Sequence, residues 1–215
     1  MTSGDVQEVP EVVILRLPLY VRALTSLQNQ GSEVVSSLQL GRLLQMTPAQ
    51  IRKDLSYFGR FGKQGRGYSV EYLLNGLRQI LGLDREWLAC VVGVGRVGGA
   101  FISYPGLSPE GFKIVAAFDN DPGQIGKLYD NLTVQPMSDM ASTIKSRGIS
   151  IAVVTVPVGV AQEVVDQLVA CGIKAILNYA PLSPQVPPTV KIRSVDPVLS
   201  LQSMTYYLAG SSEGT

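Results

Sequence analysis

The chain has 215 residues, 46% of them hydrophobic and 16% charged, which is the composition of a globular protein long enough for two modest domains. With no histidine and only 2 cysteines, it lacks the commonest proton shuttle, and neither a disulfide framework nor a thiol or imidazole metal site is expected. Net charge is +1, so attraction for an acidic partner has to be local. No apolar run approaches a membrane span, and the N-terminus lacks the basic-then-apolar layout of a secretory signal, so a cytoplasmic protein is expected.

Residues 1–9 read as a disordered start. From Pro10 to Gln30, Val13, Leu17, Tyr20, Val21, Leu24 and Leu27 recur at helical spacing, with a break expected at Pro18 and an end at Gly31. Ser36 or Ser37 opens a second helix to about Met46, with Leu38, Leu40, Leu43 and Leu44 as candidates for burial. A third helix starts at Thr47 as N-cap, with Pro48 in the first position and Gln50 completing a Thr-x-x-Gln capping box. Ile51, Leu55 and Phe58 fall on one side of it, while Gln50, Arg52, Lys53, Ser56 and Tyr57 project elsewhere. Two helices joined by a short turn, the second polar and basic outside, make a helix-turn-helix.

The glycine-punctuated stretch Gly59 to Tyr68 then reads as a β-hairpin wing carrying Arg60, Lys63 and Arg66 at its tip. Between Arg42 and Arg66 stand six basic residues and one acid, Asp54, a local charge of +5 in a chain whose total is +1. That asymmetry is the electrostatic footprint expected for a phosphate backbone. The bland alternative is a solvated helix beside a flexible loop. A fourth helix, Val70 to Leu81, leads to a domain boundary in the polar link 82–86.

The apolar run Leu88 to Val92 reads as a buried parallel strand. It feeds Gly93, Val94, Gly95, Arg96, Val97 and Gly98, a GxGxxG followed by a helical segment. A second apolar run, Ile114 to Phe118, ends at Asp119, which lies 21 residues beyond Gly98. Each part has a physical role. Gly93 permits the tight turn, Gly95 has no Cβ to hold a pyrophosphate off the backbone, and Gly98 lets helix pack on strand. The helix N-terminus aims free N–H groups at phosphate, and Asp119 can accept from a ribose 2′-OH, which favours NAD(H) over its 2′-phosphorylated form. A tight βα turn without a ligand, or one for another nucleotide such as coenzyme A, is the alternative.

Beyond Asp119 the chain alternates strand and helix. Asp121-Pro-Gly123 is a turn, Gly126–Val134 is ambiguous, and Ser138–Arg147 reads as a helix. Strands at Ile149–Val156, Ile173–Leu177 and Val190–Val195 are separated by a helix from about Gly159 to Cys171 and a proline-marked loop. Such alternation implies α/β architecture with a doubly wound parallel sheet, whose ligands sit beyond the carboxyl ends of the strands. Gly93–Gly98, Asp119, Thr155, Val156, Pro157 and Asn178 all fall at such ends. The terminal helix, Pro197 to Ala209, carries Leu199, Leu201, Met204, Tyr207 and Leu208, and either covers its own sheet or docks on a partner subunit.

Arg16-Leu-Pro-Leu-Tyr20, the run from Gln50 to Gly59, Gly62-x-x-Gly-x-Gly67-Tyr68, Gly93–Gly98, Tyr104-Pro-Gly106, Phe118-Asp119, Thr155-Val-Pro157 and Leu177-Asn-Tyr-Ala-Pro181 together resemble the Rex family of bacterial redox-sensing repressors, over roughly residues 10–209. The resemblance implies an N-terminal winged helix-turn-helix (10–82), a Rossmann-type NAD(H)-binding domain (83–196), and a C-terminal helix (197–209) exchanged within a homodimer, followed by a flexible tail (210–215). It implies binding to a palindromic DNA operator when NADH is low and release when NADH binds. It also implies a relay of cofactor state through Arg22, Tyr104 and Asp196, with Tyr104 near the nicotinamide. An NAD-dependent oxidoreductase and a coenzyme A module are the rivals; the absence of histidine and the basic winged helix weigh against an enzyme.

Overall fold

The computed structural model describes residues 9–59, 61–63 and 67–210, with Lys63 described through its backbone alone. The chain divides into two compact units between Arg85 and Glu86. The division falls beyond Gly82 because the Gly82 amide donates to the Gln79 carbonyl (3.0 Å) and the Leu83 amide to the Arg78 carbonyl (2.8 Å), which holds both residues to the preceding helix.

In the first unit, α1 (Glu11–Asn29) runs without interruption through Pro18. The expected break does not occur: proline removes one helical hydrogen bond, but Val13, Leu17, Tyr20, Val21 and Leu24 are buried on both sides of it and hold the helix together. α2 (Ser37–Leu44) is opened by a capping box that the sequence reading missed: Ser36 Oγ accepts from the Gln39 amide (3.1 Å) and Gln39 Oε1 from the Ser36 amide (2.8 Å). Leu40 is buried but Leu38 and Leu43 are exposed, contrary to expectation. At 3.6 residues per turn both lie about 110° from the centre of the stripe formed by Leu40, Gly41 and Leu44. α3 (Pro48–Ser56) starts at Thr47, whose Oγ1 accepts from the Gln50 amide (3.2 Å), and buries Ile51, Asp54 and Leu55.

β1 (Val34–Val35), β2 (Gly62–Lys63) and β3 (Gly67–Ser69) form a small antiparallel sheet in the order β1-β3-β2, and α4 (Val70–Ile80) follows. Leu17, Tyr20, Leu24, Leu40, Ile51, Leu73 and Leu77 make the core. A Cβ on Gly76 would stand 2.5 Å from the Phe61 ring, so this glycine gives the wing its anchor on α4. Four helices with this small sheet form a winged helix.

The second unit is a seven-stranded sheet. Its strands are β4 (Trp87–Val92), β5 (Phe112–Asp119), β6 (Leu128–Tyr129), β7 (Leu132–Pro136), β8 (Ile151–Val154), β9 (Ala175–Asn178) and β10 (Lys191–Ser194). The order is β10-β9-β8-β4-β5-β7-β6, parallel except for β6 with β7. The residues left ambiguous by the sequence thus become a short antiparallel edge. Counted without that edge, the strands run 3-2-1-4-5-6, the doubly wound order, and the direction of winding reverses between β4 and β8.

α5 (Arg96–Ile102), α6 (Met140–Arg147) and α7 (Val158–Ala170) connect the strands. Alternate residues of β4 face two apolar layers. Cys90 and Val92 pack with Phe118, Val154 and Leu168, while Val91 packs with Val94, Ile102 and Val153. α8 (Pro197–Gly210) does not cover its own sheet: Leu199, Leu201, Met204, Tyr206, Tyr207 and Leu208 are all exposed, Tyr206 at 78%. Among the described residues no helix is long and apolar enough to cross a membrane.

Candidate functional site

At the winding reversal, β4 ends in Val92 and the chain turns through Gly93 with φ +90°, a backbone setting that side chains disfavour. A Cβ on Gly93 would stand 2.8 Å from Val156, and one on Gly98 would stand 2.1 Å from the Gly93 carbonyl oxygen. Gly98 is therefore what lets α5 close on the turn. Gly95 is different, because a Cβ there would meet nothing within 4 Å. Its bareness leaves space for a ligand rather than for protein. Thr155 follows β8 and donates twice to the turn, its hydroxyl to the Gly93 carbonyl and its amide to the Val92 carbonyl (2.9 Å).

Asp119 ends β5 beside this turn. Its Oδ2 accepts from the Val94 amide (2.6 Å) and its Oδ1 from the Asp121 amide (2.9 Å). A carboxylate offers about four acceptor positions, so ribose hydroxyls can still be accommodated. The Asp121 carboxylate in turn accepts from the Gly123 amide (2.8 Å), which shapes the following loop.

An open cleft of ≈ 770 Å³ joins these parts; Gly93, Gly95, Asp119, Asp121, Thr155, Val156, Pro157 and Glu163 line it. Met137, Val160 and Val164 supply an apolar wall, with Gln124 and Gln167 at its polar margin. Among the described residues the lining contains three carboxylates and no lysine or arginine. An anionic ligand must therefore be held through backbone N–H groups, and a further phosphate near Asp119 would be repelled.

Not every expected residue reaches this cleft. Val94 is fully buried and offers only its amide, which Asp119 takes. Arg96 and Val97 are exposed on the first turn of α5 and do not line the cleft. Asn178 does not line the cleft, and its side chain is engaged within the protein. It is buried, its Nδ2 donates to the carbonyls of Ala180 (3.0 Å) and Leu182 (2.8 Å) and to Ser194 Oγ (3.2 Å), and its Oδ1 accepts from the Ala180 amide. Tyr104 also lies elsewhere: α5 leads away from the glycine turn, and Tyr104 borders a separate shallow pocket with Phe112, Lys113 and Arg147.

Its ring lies over Gly106, where a Cβ would come within 2.6 Å, which accounts for the glycine of Tyr-Pro-Gly. Asp196 Oδ1 accepts from the Val198 amide (2.9 Å) and so caps α8. Arg22 is exposed on α1. Val160, Glu163, Val164 and Gln167 were not singled out from the sequence, although their i, i+3, i+4, i+7 spacing marks one face of α7.

The second site lies on α3. Arg52, Lys53 and Ser56 are exposed on the side opposite Ile51, Asp54 and Leu55, with Gln50 and Tyr57 half-buried at the two ends. Arg52 Nη1 donates to Ser37 Oγ (3.0 Å), which holds the guanidinium toward the start of α2. Arg60 and Arg66, and the Lys63 side chain, lie outside the described residues. Burial holds the Tyr68 hydroxyl above the usual tyrosine range, and nearby Arg52 opposes that shift.

A winged helix with a cationic outer helix, joined to a doubly wound sheet with an open cleft at its winding reversal, defines the class of DNA-binding proteins that carry a nucleotide-type domain. Two family models match, one described as "Putative DNA-binding protein N-terminus" over residues 8–56 and one as "CoA binding domain" over residues 84–182. The Redox-sensing transcriptional repressor Rex of Roseiflexus sp. (strain RS-1) is 51% identical over 94% of this chain and 92% of its own length. That of Brevibacillus brevis is 43% identical over 94% of this chain and 98% of its own. RSP, a Rex-family repressor solved with β-NAD+ and operator DNA, is 36% identical with a TM-score of 0.91, covering 95% of this chain and 94% of that one. The same named protein with β-NADH gives a TM-score of 0.86 at 34% identity, covering 94% and 95%. The chain belongs to the Rex family of redox-sensing transcriptional repressors.

Proposed function

We propose that this chain is a homodimeric repressor which holds a palindromic operator while NADH is scarce and lets it go when NADH fills the cleft of each subunit. The observation that carries the reading is the pairing, in one chain, of a glycine cradle facing open space with a cationic helix on a separate winged unit. The cradle fits the coenzyme: Gly95 offers room for a pyrophosphate, the loop amides offer donors, and Asp119 offers acceptors for a ribose diol. NADH supplies an uncharged dihydropyridine ring where NAD+ has a cation, and no reaction of the coenzyme is needed for sensing. Coenzyme A fits less well, since its 3′-phosphorylated ribose would bring a dianion toward Asp119, Asp121 and Glu163.

On the DNA, Arg52 and Lys53 with Gln50, Ser56 and Tyr57 are the residues for base edges and phosphates, and the wing residues Arg60, Lys63 and Arg66 for the backbone. Half-sites one helical turn apart would be read by two such helices at a fixed separation. Moving the dimer from 1:99 to 99:1 in favour of release needs about 5.5 kcal/mol of differential binding, about 10⁴-fold. Asp119 cannot supply it, because the adenosine ribose is common to both forms. Arg22, Tyr104 and Asp196 keep the relay role, the last two from positions outside the cleft. A cytoplasmic location follows from access to the chromosome.

The deciding experiment selects a palindromic duplex from a randomised pool with the purified chain and then titrates the complex with NADH, NAD+ and coenzyme A. Release at the lowest concentration by NADH supports the reading. Release by coenzyme A alone, or failure to select any duplex, overturns it.

A further inference from the structure

Among the described residues, Asp54 is the one charged side chain classed with the buried interior, at 1% exposure, and it sits on α3 between Lys53 and Leu55. Both its oxygens are engaged by α1. Arg16 Nε donates to Oδ2 and Arg16 Nη2 to Oδ1, each at 2.7 Å, a two-pronged contact, and the Tyr20 hydroxyl donates to Oδ2 at 2.8 Å. Met46, in the turn between α2 and α3, places its sulfur 3.9 Å from the same hydroxyl. The Asp54 hydrogen bond pushes the Arg16 guanidinium further up, and burial, then that same carboxylate, raises the Tyr20 hydroxyl.

Stability does not explain the cluster. Burying such a pair costs about what it returns, and well-packed apolar residues of similar volume serve as well or better. What a planar fork does that leucines cannot is fix a direction. Apolar ridges permit a helix to roll or slip, whereas two parallel N–H···O contacts and a third from Tyr20 define the roll of α3 against α1. A roll of about 20° at about 6 Å from the helix axis moves a side-chain tip by about 2 Å, which is more than a hydrogen bond to a base edge tolerates.

We infer that Asp54, clamped by Arg16 and Tyr20, is a positioning residue for operator discrimination: it sets the roll of α3 so that Gln50, Arg52 and Lys53 meet base edges in register. This rests on α3 being the DNA-reading helix. Contacts to phosphate tolerate a small roll better than contacts to bases, so loss of the clamp falls on sequence discrimination rather than on general affinity for DNA.

The test uses the full chain and the duplex it selects from a randomised pool, alongside a scrambled duplex of equal length. The double variant Arg16→Met with Asp54→Leu removes both charges and preserves volume. Its melting temperature should stay within a few degrees of the parent. Affinity for the selected duplex should fall about tenfold or more, while affinity for the scrambled duplex changes less than about twofold. An unchanged ratio between the two duplexes overturns the inference. Should the double variant not fold, Arg16→Lys keeps the charge and loses the fork; a reduced ratio then supports the clamp and an unchanged one rejects it. Lys53→Ala run in parallel separates the two claims. If it leaves the selected duplex bound as before, α3 is not the reader and both claims fall; if it weakens that binding while the clamp variants do not, the clamp alone is rejected.

Discussion

Asp119 and Lys53 make separable predictions, because the proposed reading sets one against a nucleoside and the other against a phosphate backbone. Asp119→Ala removes charge-assisted hydrogen bonds worth about 1.5–3 kcal/mol. NADH and NAD+ should therefore both weaken by about ten- to a hundredfold and by the same factor, as read by calorimetric titration; a loss confined to one form would detach Asp119 from the ribose. Lys53→Ala should lower operator affinity and reduce the log–log salt slope by about 1 while NADH affinity holds; an unchanged slope would move the DNA surface off α3. Alkaline pH probes two other residues. Burial pushes the Cys90 thiol up to about 12, and burial also raises the Tyr20 hydroxyl. Both keep their protons more tightly folded than unfolded, so their contribution is complete below the ordinary thiol and phenol ranges and drains away as pH climbs through the raised values. The urea midpoint should fall above about pH 9. Cys90→Ala should lower the midpoint at neutral pH yet flatten its alkaline decline, and an equally steep decline in the variant would clear the thiol of responsibility.

At the scale of elements, the two glycines of the βα turn should fail in different ways. Gly98→Ala forces a methyl to within 2.1 Å of the Gly93 carbonyl oxygen, so α5 must shift; the expected cost is about 1–3 kcal/mol of stability together with loss of coenzyme binding. Gly95→Ala meets no protein atom within 4 Å and should melt as the parent does while binding NADH more weakly. Equal melting temperatures for both variants would contradict the packing described for Gly98. These glycines were legible in the sequence because the strand–turn–helix frame dictates where a Cβ cannot go. The start of α3 was legible for the same reason, since Thr47 and Pro48 are local signals. Partners far apart along the chain were not legible. Asp54 looks like part of a solvated face until Arg16 and Tyr20, 38 and 34 residues earlier, arrive beside it. Asn178 looks like a ligand contact at a strand end until Ala180, Leu182 and Ser194 use up its amide. The intact helix through Pro18 follows the same rule, because tertiary burial decides it.

For the molecule as a whole, α8 is the part with no place in a single copy. Its apolar side chains stand exposed, and its start is fixed by Asp196, so it is a preformed helix awaiting cover. If the proposed dimer is held through α8, ending the chain after Asp196 should leave a monomer in sedimentation and lower operator affinity by about 10²–10⁴-fold through lost bivalency, with NADH affinity retained. A truncated chain that still sediments as a dimer would place the interface elsewhere. The Val94 amide donates to the same carboxylate that the proposed function sets against the nucleoside, so on that reading coenzyme preference and the shape of the glycine turn are inherited together. A lineage adopting the 2′-phosphorylated dinucleotide cannot merely discard the acid at position 119. It must shed the charge and keep an acceptor of similar reach, which narrows the open evolutionary steps to short polar side chains such as asparagine or serine.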